Sequence, residues 1–111
     1  MLHDVALRAT GRAEVPAYGL ADAEHQVEKE VRTAWPGATV EVLDVSRTGG
    51  TARIVEEFTV RFRAQGTVPV EADSEADARR AALRHLRAAF ADTRYHRLDF
   101  QIPERDAGHL P

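Results

Sequence analysis

The stretch Phe58-Thr59-Val60-Arg61-Phe62-Arg63-Ala64-Gln65-Gly66-Thr67-Val68-Pro69-Val70-Glu71-Ala72 decides how this chain folds. Phe58, Val60, Phe62 and Ala64 share one side of an extended chain and Arg61 and Arg63 the other, the period-2 signature of a strand with one buried face. Gln65-Gly66-Thr67 then reads as a three-residue hairpin with the glycine in the left-handed position. Such a turn sets Ala64 opposite Val68, Phe62 opposite Val70 and Val60 opposite Ala72, so the apolar face continues without a slip. Pro69 falls on the opposite face and has no N–H to give a ladder, which assigns that arm to a sheet edge. The other reading of the stretch is one long strand running through Gly66.

Downstream, Ser74 with Asp77 three residues on marks a helix start. Ala78, Ala82, Leu86, Ala89 and Phe90 give that helix a buried stripe, with Arg80, Arg84 and Arg87 roughly opposite. Arg79 falls near the edge of the stripe, where its stem can cover the core while its head reaches water. Tyr95 to Ile102 has short-strand character, and residues 103–111 read as a flexible tail after a single domain over 1–102. Upstream, Val5 to Ala9 alternates as a strand and Thr10-Gly11-Arg12 interrupts it, although Ala13, Val15 and Ala17 keep the parity. Leu20, Ala23, Val27, Val31, Ala34 and Trp35 recur at helical spacing until Pro36-Gly37 stops them. Ala38 to Val45 is a β-branched strand, and Thr48-Gly49-Gly50-Thr51 is a turn or mobile loop. The expected fold is α+β, in the order β-α-β-β-β-α, with two helices packed on one face of a four-stranded sheet.

One pattern supports a second topology. At an offset of 55 residues Val5, Arg8, Ala9, Gly11, Val15, Ala17, Ala21, Asp22, Ala23, Arg32, Ala34 and Asp44 meet identical residues. A tandem β-α-β duplication, giving a ferredoxin-like sheet, produces such a pattern, and so in part does a composition rich in alanine and arginine.

The composition narrows the function classes. Of the 111 residues, 43% are apolar and 30% charged, which places the chain among ordinary globular domains. No cysteine is present, which excludes disulfides, thiolate metal sites and cysteine nucleophiles. No apolar run approaches the roughly 20 residues of a membrane span, and Met1-Leu2-His3-Asp4 does not open a signal peptide, so the expected location is the cytoplasm. His3, His25, His85, His96 and His109 show no metal-ligand spacing and read as surface or satisfied histidines. Phosphate loops, nucleophile elbows and hydrolase signatures are missing, so neither an enzyme nor a cofactor is expected. Charge is uneven between the helices. Asp22, Glu24, Glu28 and Glu30 outnumber Lys29 and Arg32 on the first, whereas Arg79, Arg80, Arg84 and Arg87 outnumber Glu75 and Asp77 on the second. A solvated face with intrahelical pairs explains such a run, and so does a phosphate-contacting face.

Three further stretches carry a family resemblance. Thr10-Gly11-Arg12-Ala13-Glu14-Val15-Pro16-Ala17, Val27-Glu28-Lys29-Glu30-Val31 and Val70-Glu71-Ala72-Asp73, together with the glycine at 66 and the arginine-bearing helix, resemble the ribosome hibernation-promoting factor family, which includes the ribosome-associated inhibitor A proteins. The resemblance spans about residues 5–97. It implies a cytoplasmic, stress-related regulator that docks on the small ribosomal subunit and silences translation, with Lys29, Arg32, Arg80, Arg84 and Arg87 on ribosomal RNA. The chain departs from the family in its acidic first helix, its Arg79-Arg80 pair and its formal net charge of −3. The alternative class is a non-catalytic protein- or small-ligand-binding module, homo-oligomeric in one version, with a dodecin-like arrangement as a distant example. An unbroken strand over 58–72 favours this second class, and a hairpin at Gly66 favours the first.

Overall fold

In the computed structural model, residues 1–48, 55–95 and 97–103 are described. The chain runs β1 (Leu2–Ala17), α1 (Leu20–Ala34), β2 (Thr39–Arg47), β3 (Glu56–Glu71), α2 (Glu75–Phe90) and β4 (Asp99–Gln101). The four strands form one antiparallel sheet in the order β2-β3-β1-β4, and α1 and α2 both pack on the face lined by the buried residues of β1 and β3. The α+β class, with two helices on one face of a four-stranded sheet, is therefore what the sequence pattern indicates.

The strands divide differently from the expectation at one place. Glu56–Glu71 is a single strand, paired with β1 over its whole length from Leu2↔Glu71 to Ala17↔Glu56. Gln65-Gly66-Thr67 makes no hairpin, no described glycine has a positive φ, and the fourth strand is the short β4 instead. Gly66 serves close approach, not a turn. A Cβ there would stand 2.6 Å from the carbonyl oxygen of Gly37 and 3.1 Å from Cα of Ala38, in the α1–β2 connection. Thr10-Gly11-Arg12 likewise fails to break β1, because Gly11 lies opposite Phe62 and leaves room for its ring and for Leu98. Pro69 is an edge residue only in a local sense, since β2 pairs with β3 no further than Gln65. The Gly49-Gly50 turn and the tail from 104 onward lie outside the described residues.

The resulting β-α-β-β-α-β order with interleaved strands is the ferredoxin-like arrangement. The offset of 55 superposes β1 on β3 and α1 on α2. Ala9 and Ala64 are ladder partners and also counterparts in the repeat, so a local two-fold passes between them. Around it, Leu7↔Gly66 and Gly11↔Phe62 exchange places, each setting a large side chain opposite a glycine. Trp35 and Phe90, also counterparts, close the two helices into the core at 3% and 1% exposure.

The core lies between sheet and helices: Val5, Leu7, Val15, Phe58, Val60 and Phe62 from the strands, Val27 and Val31 from α1, Leu86 and Phe90 from α2. Tyr95 joins it from the α2–β4 connection, its ring edge-on to Phe62 at 5.6 Å and to Phe90 at 6.4 Å between centroids. Aromatic contacts of this kind add about 0.5–1.5 kcal/mol each beyond the area they bury. Phe100 on β4 pairs with Ala9 and rests on Phe90, which attaches the short edge strand.

Candidate functional site

The two helices position the basic residues. On α1 the stripe Ala23, Val27, Val31 faces the sheet, so Lys29 and Arg32 point away from it. They border a shallow depression of about 350 Å³ together with His25, Glu28 and Thr33. On α2 the stripe Ala78, Ala82, Leu86, Phe90 is buried and the arginines are exposed. Glu75 and Asp77 neutralise the first turns: Arg79 pairs with Glu75 at 3.5 Å and Arg80 with Asp77. Arg84 and Arg87 have no ion partner among the described residues. The structure thus brings Lys29 and Arg32 together but does not join them to the arginines of α2, none of which lines that depression or the groove below.

That groove is the larger concavity, about 550 Å³, between the C-terminal half of α1 and the segment after α2. Lys29, Glu30, Thr33 and Ala34 form one side, and Ala89, Thr93, Arg94 and Tyr95 the other. Its floor is fixed by a three-residue tie. The Tyr95 hydroxyl donates to Oε1 of Glu30 at 2.7 Å, and Nε of Arg94 stands 3.3 Å from the same oxygen. Nη1 of Arg94 also donates to the carbonyl oxygen of Glu14 on β1, at 3.2 Å. Burial, and then the hydrogen bond to Glu30, push the Tyr95 phenol far above its ordinary value, so it stays a neutral donor. The sequence reading missed this tie because Glu30 and Tyr95 are 65 positions apart, and no local spacing records such a contact.

The other face of the sheet is polar. Arg8, Thr10, Arg12 and Glu14 of β1 and Thr59, Arg61, Arg63 and Gln65 of β3 alternate with the buried residues and point away from the helices. Arg63 is held by Glu41 of β2 at 2.7 Å, and Arg8 reaches Gln65 at 3.4 Å. Arg12 and Arg61 are direct cross-strand neighbours.

Among the described residues no group of three or more histidine, aspartate or glutamate side chains is placed to hold a metal ion. His3 departs from the expectation of a surface or satisfied histidine: its Nε2 is enclosed and has no hydrogen-bond partner. No described helix is long and apolar enough to cross a membrane. Comparison with protein-family models, with curated proteins and with solved structures finds no match to this chain.

Proposed function

We propose that this chain is a non-catalytic binding module built on a duplicated β-α-β unit, which holds a small organic anion in the groove between α1 and the α2–β4 connection. The observation that carries the reading is the unbroken β3, which distinguishes the duplicated fold from one with a hairpin at Gly66. The groove's volume of about 550 Å³ falls within the range of roughly 300–1,000 Å³ common for ligand clefts. Lys29 offers a cation unpaired among the described residues on one side, Arg94 at the Glu30–Tyr95 tie adds a guanidinium already held by Glu30, and Ala34 and Ala89 offer apolar wall. Amide-resolved NMR titration with a panel of aliphatic and aromatic carboxylates tests it. Shifts at 29–34 and 89–95 that Lys29→Glu abolishes are expected. An unresponsive groove across the panel overturns the assignment.

A second reading rests on Arg84 and Arg87, exposed and without ion partners among the described residues. It is the one the hibernation-factor resemblance supports: a cytoplasmic protein that contacts small-subunit ribosomal RNA through Lys29, Arg32, Arg80, Arg84 and Arg87. Arg87 also lies in the last turn of α2, where a cation complements the helix dipole without any partner. Phosphate-driven binding is steeply salt-dependent. Co-sedimentation with the small ribosomal subunit at low salt, lost at high salt and in the Arg80→Glu, Arg84→Glu, Arg87→Glu variant, is its expected result. A protein that stays at the top of the gradient at low salt rules it out.

A further inference from the structure

The open face of the sheet carries a charge arrangement that neither reading uses. Arg12 and Arg61 are direct partners on adjacent antiparallel strands, which sets their Cβ atoms about 5 Å apart on one face. Like charges opposed in this way repel, and neighbouring carboxylates usually relieve them. Here Arg63 receives Glu41, and Asp44 of β2 stands directly across from Arg61 without an ion pair to it, so Arg12 and Arg61 have no ion partner among the described residues. Two adjacent guanidinium forks without ion partners present donors for one tetrahedral dianion.

The surroundings select the form of that anion. Glu14, Glu41, Asp44, Glu57 and Asp99 ring the arginines on this face, by register with the central strands. A long polyanion laid across the sheet would meet this rim at every further phosphate, and Phe58 and Phe62 face the helices, so they offer nucleobases no stacking platform here. The face is flat where a small metabolite needs a cleft. A basic centre inside an acidic rim complements a single phosphate flanked by basic side chains. We propose that the open sheet face docks a peptide segment bearing one phosphomonoester between basic residues, with Arg12 and Arg61 clamping the phosphate.

Fluorescence anisotropy with a short labelled peptide, one phosphoserine set between arginines, tests this on the full chain. The phosphopeptide is expected to bind at least about tenfold more tightly than its unphosphorylated twin. Binding should also weaken as pH falls through the second phosphate ionisation near about 6. Arg12→Glu combined with Arg61→Glu should weaken it by about a hundredfold, and the gentler Arg12→Gln with Arg61→Gln should still cost about tenfold, with unchanged circular dichroism melts. Arg97→Glu, an exposed change in the α2–β4 connection, should leave it intact. Equal affinity for the unphosphorylated peptide, or full affinity in both double variants, overturns the proposal. So does a labelled oligouridine that binds this face more tightly than the peptide and is lost with the same variants.

Discussion

The two halves of the molecule repeat one plan, and the places where they differ are the places that distinguish this protein from a symmetric duplication. In the first half α1 passes to β2 through a short connection, and β2 runs nine residues along β3. In the second half the connection after α2 is longer and β4 is only three residues. The extra chain is not idle, since it carries Arg94 and Tyr95, and with them the tie to Glu30 and one wall of the groove. A repeat supplies two equivalent helix-to-strand corners, and lengthening one of them turns a packing element into a concavity.

The glycines show the same divergence at smaller scale. Gly66 makes room for backbone of the first half's connection, and Gly11 makes room for the Leu98 side chain of the second half's. Backbone cannot step aside, whereas a leucine can change rotamer. The helix starts differ as well. Ser74 accepts a hydrogen bond from the Asp77 N–H at 3.1 Å, while Gly19 gives α1 no side-chain cap.

The two halves should differ most at the counterpart pair Leu7 and Phe62. Phe62→Ala removes the ring on which Tyr95 packs and should cost about 3–5 kcal/mol, with Leu7→Ala below it in the same thermal or chemical denaturation series. Equal losses would mean that the aromatic cluster adds nothing to the second half. Next come the glycines. Gly66→Ala should cost about 2–3 kcal/mol through its clash with Gly37 and Gly11→Ala about 1, and the reverse order would contradict the backbone-against-side-chain argument.

Tyr95→Phe removes the hydroxyl bonded to Glu30 and should cost about 1 kcal/mol at neutral pH. Its pH dependence has a definite sign. The folded protein holds the phenolic proton above the ordinary value of 10.0, so the contribution is complete below that pH and is lost as pH rises beyond it, by up to about 1.4 kcal/mol per pH unit. An alkaline unfolding curve that keeps the same slope in Tyr95→Phe would exclude this account. At the small end, Ser74→Ala should lose about 1 kcal/mol, while Gly19→Ser should gain only a few tenths, because glycine is already a tolerable cap.

Much of the fold was legible locally. The 3.6-residue stripes of α1 and α2 and the alternation of β1 and β3 are written residue by residue, because each records which side of one element meets the core. The reading failed at Gly66 because a glycine needed for positive φ and a glycine needed for close approach look alike in a sequence. The repeat at 55 contained the means to separate them, since Gly66 matches Gly11 and a turn at one predicts a turn at the other. Among the site residues, the outward direction of Lys29, Arg32, Arg80, Arg84 and Arg87 was legible from periodicity. Their division into a set on α1, a neutralised first turn and two unpaired arginines on α2 was not.

Local pattern was enough for the two helices and for the faces that helices and strands bury, because these depend on contacts along one element, whereas the duplicated plan stood only as an alternative to a hairpin at Gly66. Only the tertiary structure decided what stands across from what: Arg12 beside Arg61, Glu30 beneath Tyr95, the Gly37 backbone against Gly66. Those neighbours come from long-range strand register and helix placement. A shift of one residue in a ladder turns every side chain to the other face, so the pairings are set by the packing of the whole core and not by any segment's own pattern.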